Sequence, residues 1–291
     1  MDNLTIHANA KINLFLEVLD KRSDGYHNIE TVFQSIDLHD TIIFKEKKSG
    51  ISINCDNKDL PLDSSNLIVR AYELLLKESG KSYGADIQLI KRIPIGAGLA
   101  GGSADAGATL IGLNELWKLG YDINDLIELG KKLGADVPFC MIGGTAIGKE
   151  RGDLITRLKP LSDVYVVVAN PGFEVSTAWA YKSLADLGLT RNRKNDNIII
   201  EKINEGNILA VAENLYNAFE EIVTKKYPIV AEIKSDMISL GALGALMTGS
   251  GPTVFALTED IAIAQNIKDH FERHIKFCTI AKTTDHSIAR S

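Results

Sequence analysis

Between Pro94 and Gly107 the chain reads PIGAGLAGGSADAG, after an apolar stretch of strand type (Asp86 to Ile90) and before a stretch rich in small residues that predicts a helix over Ser103 to Leu119. No other stretch limits the fold as tightly. Glycines at this density leave backbone N–H groups uncovered, and the first turn of a helix adds unsatisfied N–H groups and the positive end of the helix dipole. A strand, a glycine loop and a helix in that order make an anion site in outline, with phosphate as the natural occupant.

Other readings of the loop are less consistent with its surroundings. A tight strand-to-helix connection accounts for some of the glycines, but not for so many beside a serine. Gly96, Gly98 and Gly101 satisfy GxGxxG, yet a dinucleotide site requires a second strand ending in Asp or Glu about 20 residues on. Here a second helix follows, capped at Asn124 or Asp125 and ended by Gly134. A Walker A loop fails at its first glycine, because the position required by Gly80-Lys81-Ser82 is Leu75.

The rest of the chain predicts an α+β protein of two domains. Ile6, Ala8, Ala10, Ile12, Leu14, Leu16 and Val18 alternate with Lys11, Asn13 and Glu17, the pattern of a long strand with one polar face. A turn at Asp24-Gly25 leads to a second extended run, Ile29 to Ile36, and DTIIFKE and ISINC around KKSG read as a hairpin. Asp63, Ser64 or Ser65 is placed to cap a helix over Asn66 to Ser79 that stops at Gly80. The pattern restarts at VYVVVANPG, so the border is expected between 158 and 159. Helices follow at Asn197 to Asn204, Asn207 to Lys226, Pro228 to Leu240 and Asp260 to His274, with ALMTGSGPTVFAL as strand, glycine turn, strand, and a last strand over Phe277 to Thr283.

With 291 residues, each half is long enough to bury its own core, and a net charge of -6 gives no global basic field for nucleic acid or an anionic membrane. Cys55, Cys140 and Cys278 are odd in number and far apart, as free thiols of a reducing cytoplasm would be. The N-terminus lacks the pattern of a secretory signal, and no apolar run is long enough to span a bilayer. His270 and His274 stand four apart without an acid or Cys partner at metal-motif spacing, and Arg191 to Lys194 read as a solvated basic loop.

Pro94, Gly98, Leu99, Gly101, Gly102 and Ser103 match in order the second motif of the GHMP kinase superfamily, P-x-x-x-G-L-x-G-G-S-[AS]. AKINLFLEV resembles its first motif and MTGSGPTVFAL its third. Three motifs in order over nearly the whole chain make this a specific resemblance. It implies a two-domain GHMP kinase fold, with an N-terminal β-α-β domain, a ferredoxin-like C-terminal domain, and a site in the cleft between them. The turn RSDGYH, SSNLIVRAYELL and LGADVPF resemble the members that use ATP to phosphorylate a cytidine diphosphate-linked methylerythritol on its 2-hydroxyl. Other superfamily kinases, of homoserine, mevalonate or a sugar, and a catalytically silent ligand sensor are the alternatives.

The resemblance also implies roles for single residues. Lys11 and Asp136 match the catalytic pair. By itself Lys11 reads as a lysine on the polar side of a strand, with Asn13 pointing the same way at the substrate, and Asp136 as an N-cap ahead of Pro138. Tyr26 and His27 fall at the cytidine end, where an aromatic face can stack on a pyrimidine and imidazole can bond its edge. Thr177 and Tyr181 match a polar contact and a second stacking aromatic. Asn66 and Lys91 match the purine pocket, and Pro94, Ile95, Gly96, Ala97, Gly98, Leu99, Ala100, Gly101, Gly102, Ser103 and Ala104 the phosphate loop. Mg²⁺ is implied with the ATP, held mostly by nucleotide and water, with Ser103 or Asp105 near enough to approach it. Ala100 stands where some members have glycine, and a methyl group there is expected to require a negative φ.

Overall fold

The computed structural model describes residues 3–187 and 194–290. The first strand, β1 (Leu4–Lys21), pairs antiparallel with β2 (His27–Lys47), and a bulge at Asn9/Ala10 and another at Asn13/Phe15 bend the pair. β2 runs through both segments read separately in the sequence and is long enough to take two further partners in succession. Its first half pairs with β5 (Thr145–Lys149), which turns back as β6 (Leu154–Arg157); its second half pairs with β4 (Gly84–Ile90).

The expected hairpin around KKSG does not form. β3 (Gly50–Cys55) leaves the end of β2 but pairs in parallel with β4, which lies between them. Gly84 makes this possible: a Cβ there would stand 2.6 Å from the Ser49 backbone, so only glycine lets β4 wedge into the turn. The crossover between the two parallel strands is α1 (Leu67–Ser79), which Gly80 ends at φ 63°. Its cap is Asn66 itself, whose side chain accepts from the Ile68 N–H, and not the Asp63 to Ser65 run.

Three helices follow on the same side: α2 (Gly101–Leu116), α3 (Ile123–Lys131), opened by a capping box on Asp122, and the short α4 (Val137–Ile142). They bury Leu110, Leu113, Leu126 and Val137 against Ile6, Phe44 and Leu89 of the sheet. α2 packs closely because its glycines are small; a Cβ at Gly112 would meet the Phe44 ring at 2.6 Å.

The second half opens with β7 (Tyr165–Asn170) and α5 (Thr177–Leu187), and Arg191 to Arg193 of the basic loop lie outside the described residues. After α6 (Asn197–Glu205), the single helix expected over 207–226 is broken into α7 (Ile208–Glu213), a two-residue strand β8 (Tyr216–Asn217) and α8 (Glu220–Lys226). Asn217 supplies the reason. Its Nδ2 donates to the Met247 and Gly249 carbonyls and its Oδ1 accepts from the Phe219 N–H, while Phe15 and Leu16 of β1 take β8 as a parallel neighbour. These bonds outweigh continuation of a helix.

The chain finishes with α9 (Ile229–Ser239), β9 (Gly244–Met247), β10 (Val254–Thr258), α10 (Ile261–Phe271), β11 (Phe277–Lys282) and a last strand absent from the sequence reading, β12 (Ile288–Arg290). β11, β7, β10 and β9 form an antiparallel sheet in that order, the ferredoxin-like arrangement. β12 crosses back to pair with β1, so the first sheet is closed at one edge by the end of the chain. Lys11, Asn13 and Glu17, the polar face of β1, are all buried.

Candidate active site

A cleft of about 1000 Å³ opens between the two sheets. On one side stand β1, the turn after it and the glycine loop; on the other stand α5 and the turn between β9 and β10. Lys11 lies at its floor, 3% exposed, where its ammonium donates to Asn13 Oδ1 at 2.7 Å and to the Gly98 carbonyl at 3.0 Å and lies 5.7 Å from the centre of the Phe33 ring.

Asn13 is the hub of this floor. Its Nδ2 donates to Thr31 Oγ1 at 2.8 Å, while its Oδ1 also accepts from the Gly249 N–H at 3.1 Å and from Thr248 Oγ1 at 3.2 Å. The three glycine- or lysine-bearing segments singled out in the sequence therefore meet at two residues, Lys11 and Asn13. Closeness here depends on missing side chains: a Cβ on Gly98 would lie 2.4 Å from the Thr248 carbonyl oxygen.

Asp136 is at the N-terminus of α4 but makes no capping hydrogen bond, and Pro138 occupies the first turn where an N–H would otherwise need a partner. Its carboxylate is therefore available to the cleft, which it lines together with Lys11. Asp136 holds the N-cap position that its own sequence reading allowed, without the capping bond. Behind it the Cys140 thiol is buried and pushed well above its ordinary pKa, chiefly by desolvation, so it is an inert core group.

His27 and Tyr181 also line the cleft and stack with ring centres 5.0 Å apart and planes 17° from parallel. Burial, and then the charge of Lys21, holds the His27 imidazole below its usual value; burial, and then Asp136, pushes the Tyr181 phenol up to about 12. Both rings are neutral at pH 7. Tyr26 is 57% exposed beside them, with the Arg151 guanidinium 5.3 Å from its ring centre, and Thr177 shares a 3.0 Å hydrogen bond with Ser250 of the third-motif turn.

Among the expected phosphate-loop residues, Pro94, Ile95, Gly96, Ala97, Gly98, Ala100, Gly101, Gly102 and Ser103 line the cleft, whereas Leu99 and Ala104 point into the core. Ala100 departs from expectation: its φ is 57° and its ψ 27°, left-handed despite the methyl group. The helix begins directly after it, with the Ala104 N–H bonded to its carbonyl, and the left-handed angle places a strained residue at the loop's junction with the helix.

Asn66 and Lys91 are placed differently from the sequence reading. Asn66 spends both ends of its amide inside the protein, on Ile68 N–H and the Pro61 carbonyl, and does not line the cleft; Leu60 and Leu67 beside it do. Lys91 lines the cleft, but its ammonium is bound by Asp40 and, at 2.9 Å, by Asp105. Burial raises the Asp105 carboxyl well above the ordinary carboxylate range, against the pull of Lys91. Lys21, Phe33, Arg151 and Lys182 also line the cleft and were missed by the sequence reading. Only Phe33 had a signal, as an aromatic in a strand; Arg151 sits in the β5–β6 turn, where charge is ordinary.

Residues 66–144 match the family described as GHMP kinases N terminal domain, and residues 199–276 match GHMP kinases C terminal. A curated 4-diphosphocytidyl-2-C-methyl-D-erythritol kinase of Pelotomaculum thermopropionicum is 44% identical over 281 residues, 96% of this chain and 98% of its own. The chain belongs to the GHMP kinases, in the family of 4-diphosphocytidyl-2-C-methyl-D-erythritol kinases. The same-named protein of Clostridium kluyveri is 42% identical over 96% of this chain and its own full length. A solved structure of a 4-(cytidine 5'-diphospho)-2C-methyl-D-erythritol kinase superposes with a TM-score of 0.82 at 31% identity, covering 96% of this chain and 98% of that one. A homoserine kinase from Cytophaga hutchinsonii, with a TM-score of 0.79 at 20% identity, shares the fold. This GHMP kinase takes ATP as its co-substrate, and none of its described helices is long and apolar enough to cross a membrane.

Proposed function

We propose that the chain transfers the γ-phosphoryl group of ATP to the 2-hydroxyl of 4-diphosphocytidyl-2-C-methyl-D-erythritol, a step of non-mevalonate isoprenoid precursor synthesis. The observation that carries the reading is that one cleft is lined by Lys11, Asp136, the glycine loop and the His27–Tyr181 stack. Asp136 takes the hydroxyl proton, the freed oxygen bonds to the γ-phosphorus, and the bond from that phosphorus to the β–γ bridging oxygen breaks to release ADP. Lys11 neutralises charge on the group in transit, held in place by Asn13 and Gly98. The stacked rings and Tyr26 receive the cytosine, with the neutral imidazole able both to donate and to accept. Thr177 contributes a polar contact beside them, and the loop amides from Gly98 to Ser103 cradle the phosphates.

Mg²⁺ suits this donor set. A nucleotide-bound Mg²⁺ keeps phosphate and water ligands and needs few protein oxygens, and among the described residues no cluster of three His, Cys, Asp or Glu offers a closed metal cage. Ser103, in the first turn of α2, lines the cleft and would hold the ion; Asp105 does not line the cleft. When bound, the ion supplies neutralisation of the phosphate charge. We assign residues 1–158 to an N-terminal ATP-binding domain and 159–291 to a C-terminal domain, with β12 reaching back to the first sheet.

The test is ADP release with the cytidylyl substrate, mevalonate and homoserine in parallel, for wild type and Asp136→Asn. Turnover confined to the cytidylyl substrate and lost in the variant is expected. Turnover of only mevalonate or homoserine would remove the substrate assignment, and equal rates in both proteins would remove the base.

A further inference from the structure

One buried cluster has no part in the reaction above. The side chains of Lys91, Asp40 and Asp105 are 3%, 0% and 4% exposed and come from three places: the residue after β4, the middle of β2, and the second turn of α2. Asp40 Oδ2 binds the Lys91 ammonium, and its Oδ1 accepts from the Arg92 N–H and, at 2.9 Å, the Ile93 N–H. Asp105 Oδ2 takes a second Lys91 proton at 2.9 Å. Gly101 is cut to fit the ammonium, since a Cβ there would lie 2.9 Å from Lys91 Nζ and from Ile93 Cγ2.

These contacts tie residues 91–93 to residues 101–105, the two ends of the glycine loop. The loop between them holds Gly96, Gly98 and Ala100 at φ 63°, 78° and 57°. Glycine takes positive and negative φ alike, so this segment does not keep one shape unaided, and its amides are useful to an anion only if they face one point. A buried ion cluster is also a poor way to gain stability, because well-packed apolar side chains do as well. What it supplies is fixed spacing and direction.

We propose that Asp40 and Asp105 are positioning residues for ATP: through Lys91 they set the separation of the loop's two ends, and so the convergence of its N–H groups on the phosphates. The proposal rests on the reading that this loop binds ATP. It separates the binding of the two substrates, because His27 and Tyr181, which stack on each other, are not among the partners of this cluster.

Asp105→Ala, Asp105→Asn and Gly101→Ala test it, with kcat and both KM values from ADP release, ATP affinity by calorimetry, and thermal unfolding. Asp105→Ala should raise the KM and Kd for ATP by about 10- to 100-fold, the scale of a misplacement near 1 Å, with the KM for the cytidylyl substrate unchanged. Asp105→Asn keeps an acceptor for Lys91 and should restore ATP affinity. Gly101→Ala displaces the ammonium without removing a charge and should reproduce the ATP-selective defect, which keeps the test decisive if Asp105→Ala does not fold. Wild-type ATP affinity in Asp105→Ala or Gly101→Ala, or parallel loss of both substrates, would overturn the proposal. If wild type itself does not bind ATP, the functional reading fails first; if it does and the variants match it, only the positioning role fails.

Discussion

Gly98→Ala is the most exacting test of the cleft floor. Gly98 has a φ of 78°, and its missing Cβ would stand 2.4 Å from the Thr248 carbonyl oxygen and 3.2 Å from its carbonyl carbon. The obstacle is backbone, so no rotamer change relieves it, and the loop must retreat by about 1 Å to reach ordinary contact. That retreat draws the Gly98 carbonyl from Lys11 Nζ, now 3.0 Å away, and displaces the ammonium it orients. A misplacement of this size costs about 100-fold in kcat/KM, or about 2.7 kcal/mol of transition-state stabilisation. Ala100→Gly is the control from the same loop: it relieves a left-handed alanine at φ 57°, while the freer unfolded chain offsets the gain, so stability and activity should barely move. ADP release at varied ATP, with thermal melts, reads both. If Gly98→Ala keeps kcat/KM within about threefold of wild type, closeness of the two glycine turns does not set the position of Lys11.

The remaining predictions concern single roles. Asp136→Asn should reduce kcat by about 10²- to 10⁴-fold yet melt near wild type, since Asp136 makes no capping bond; calorimetry should show both substrates still bound. His27, held below its usual value of 6.5 by burial, binds a proton less readily folded than unfolded. Its contribution to stability is therefore complete above pH 6.5 and lost as pH falls through the folded pKa, so the melting temperature of wild type should drop more steeply below pH 6.5 than that of His27→Gln. Asn217→Ala leaves the Met247 and Gly249 carbonyls and the Phe219 N–H short of a partner; a loss of about 2 to 4 kcal/mol in urea unfolding is expected.

What the sequence disclosed and what it concealed divide along physical lines. Period-two alternation in β1, the buried-strand run of β7 and the stop at Gly80 are local signals, and they were legible because each is set by its own neighbours in the chain; the stop expected at Gly134 comes earlier, after Lys131. The partner of a strand is not local. β3 and β4 are found side by side only because Gly84 clears the Ser49 backbone, a clearance that composition does not display. The break at Asn217 likewise depends on carbonyls thirty residues on. Within the site, Asp136 was visible two residues before its proline, and Asn66 at the cap follows its own preference, but the left-handed Ala100 is an outcome of packing that overrides the residue's own preference.

The two buried lysines of the cleft show why burial alone assigns no role. Each partner of Lys11 is neutral: an amide oxygen, a peptide carbonyl and an aromatic face. Dipoles orient the ammonium without cancelling its charge, and at the reduced dielectric of a protein surface a unit anion about 4 Å away gains about 4 kcal/mol. Lys91 is bound by two carboxylates, and its cluster offers an incoming phosphate no net positive charge. A chain of net charge -6 repels polyphosphates at long range, so attraction comes from local groups: Lys11, the other cleft cations such as Lys21 and Lys182, and the loop amides. Of the two buried lysines, Lys11 supplies charge and Lys91 spacing. Lys11→Met should depress turnover with the loop intact, whereas Lys91→Met should weaken ATP binding by releasing the loop, and the two should differ in which constant moves.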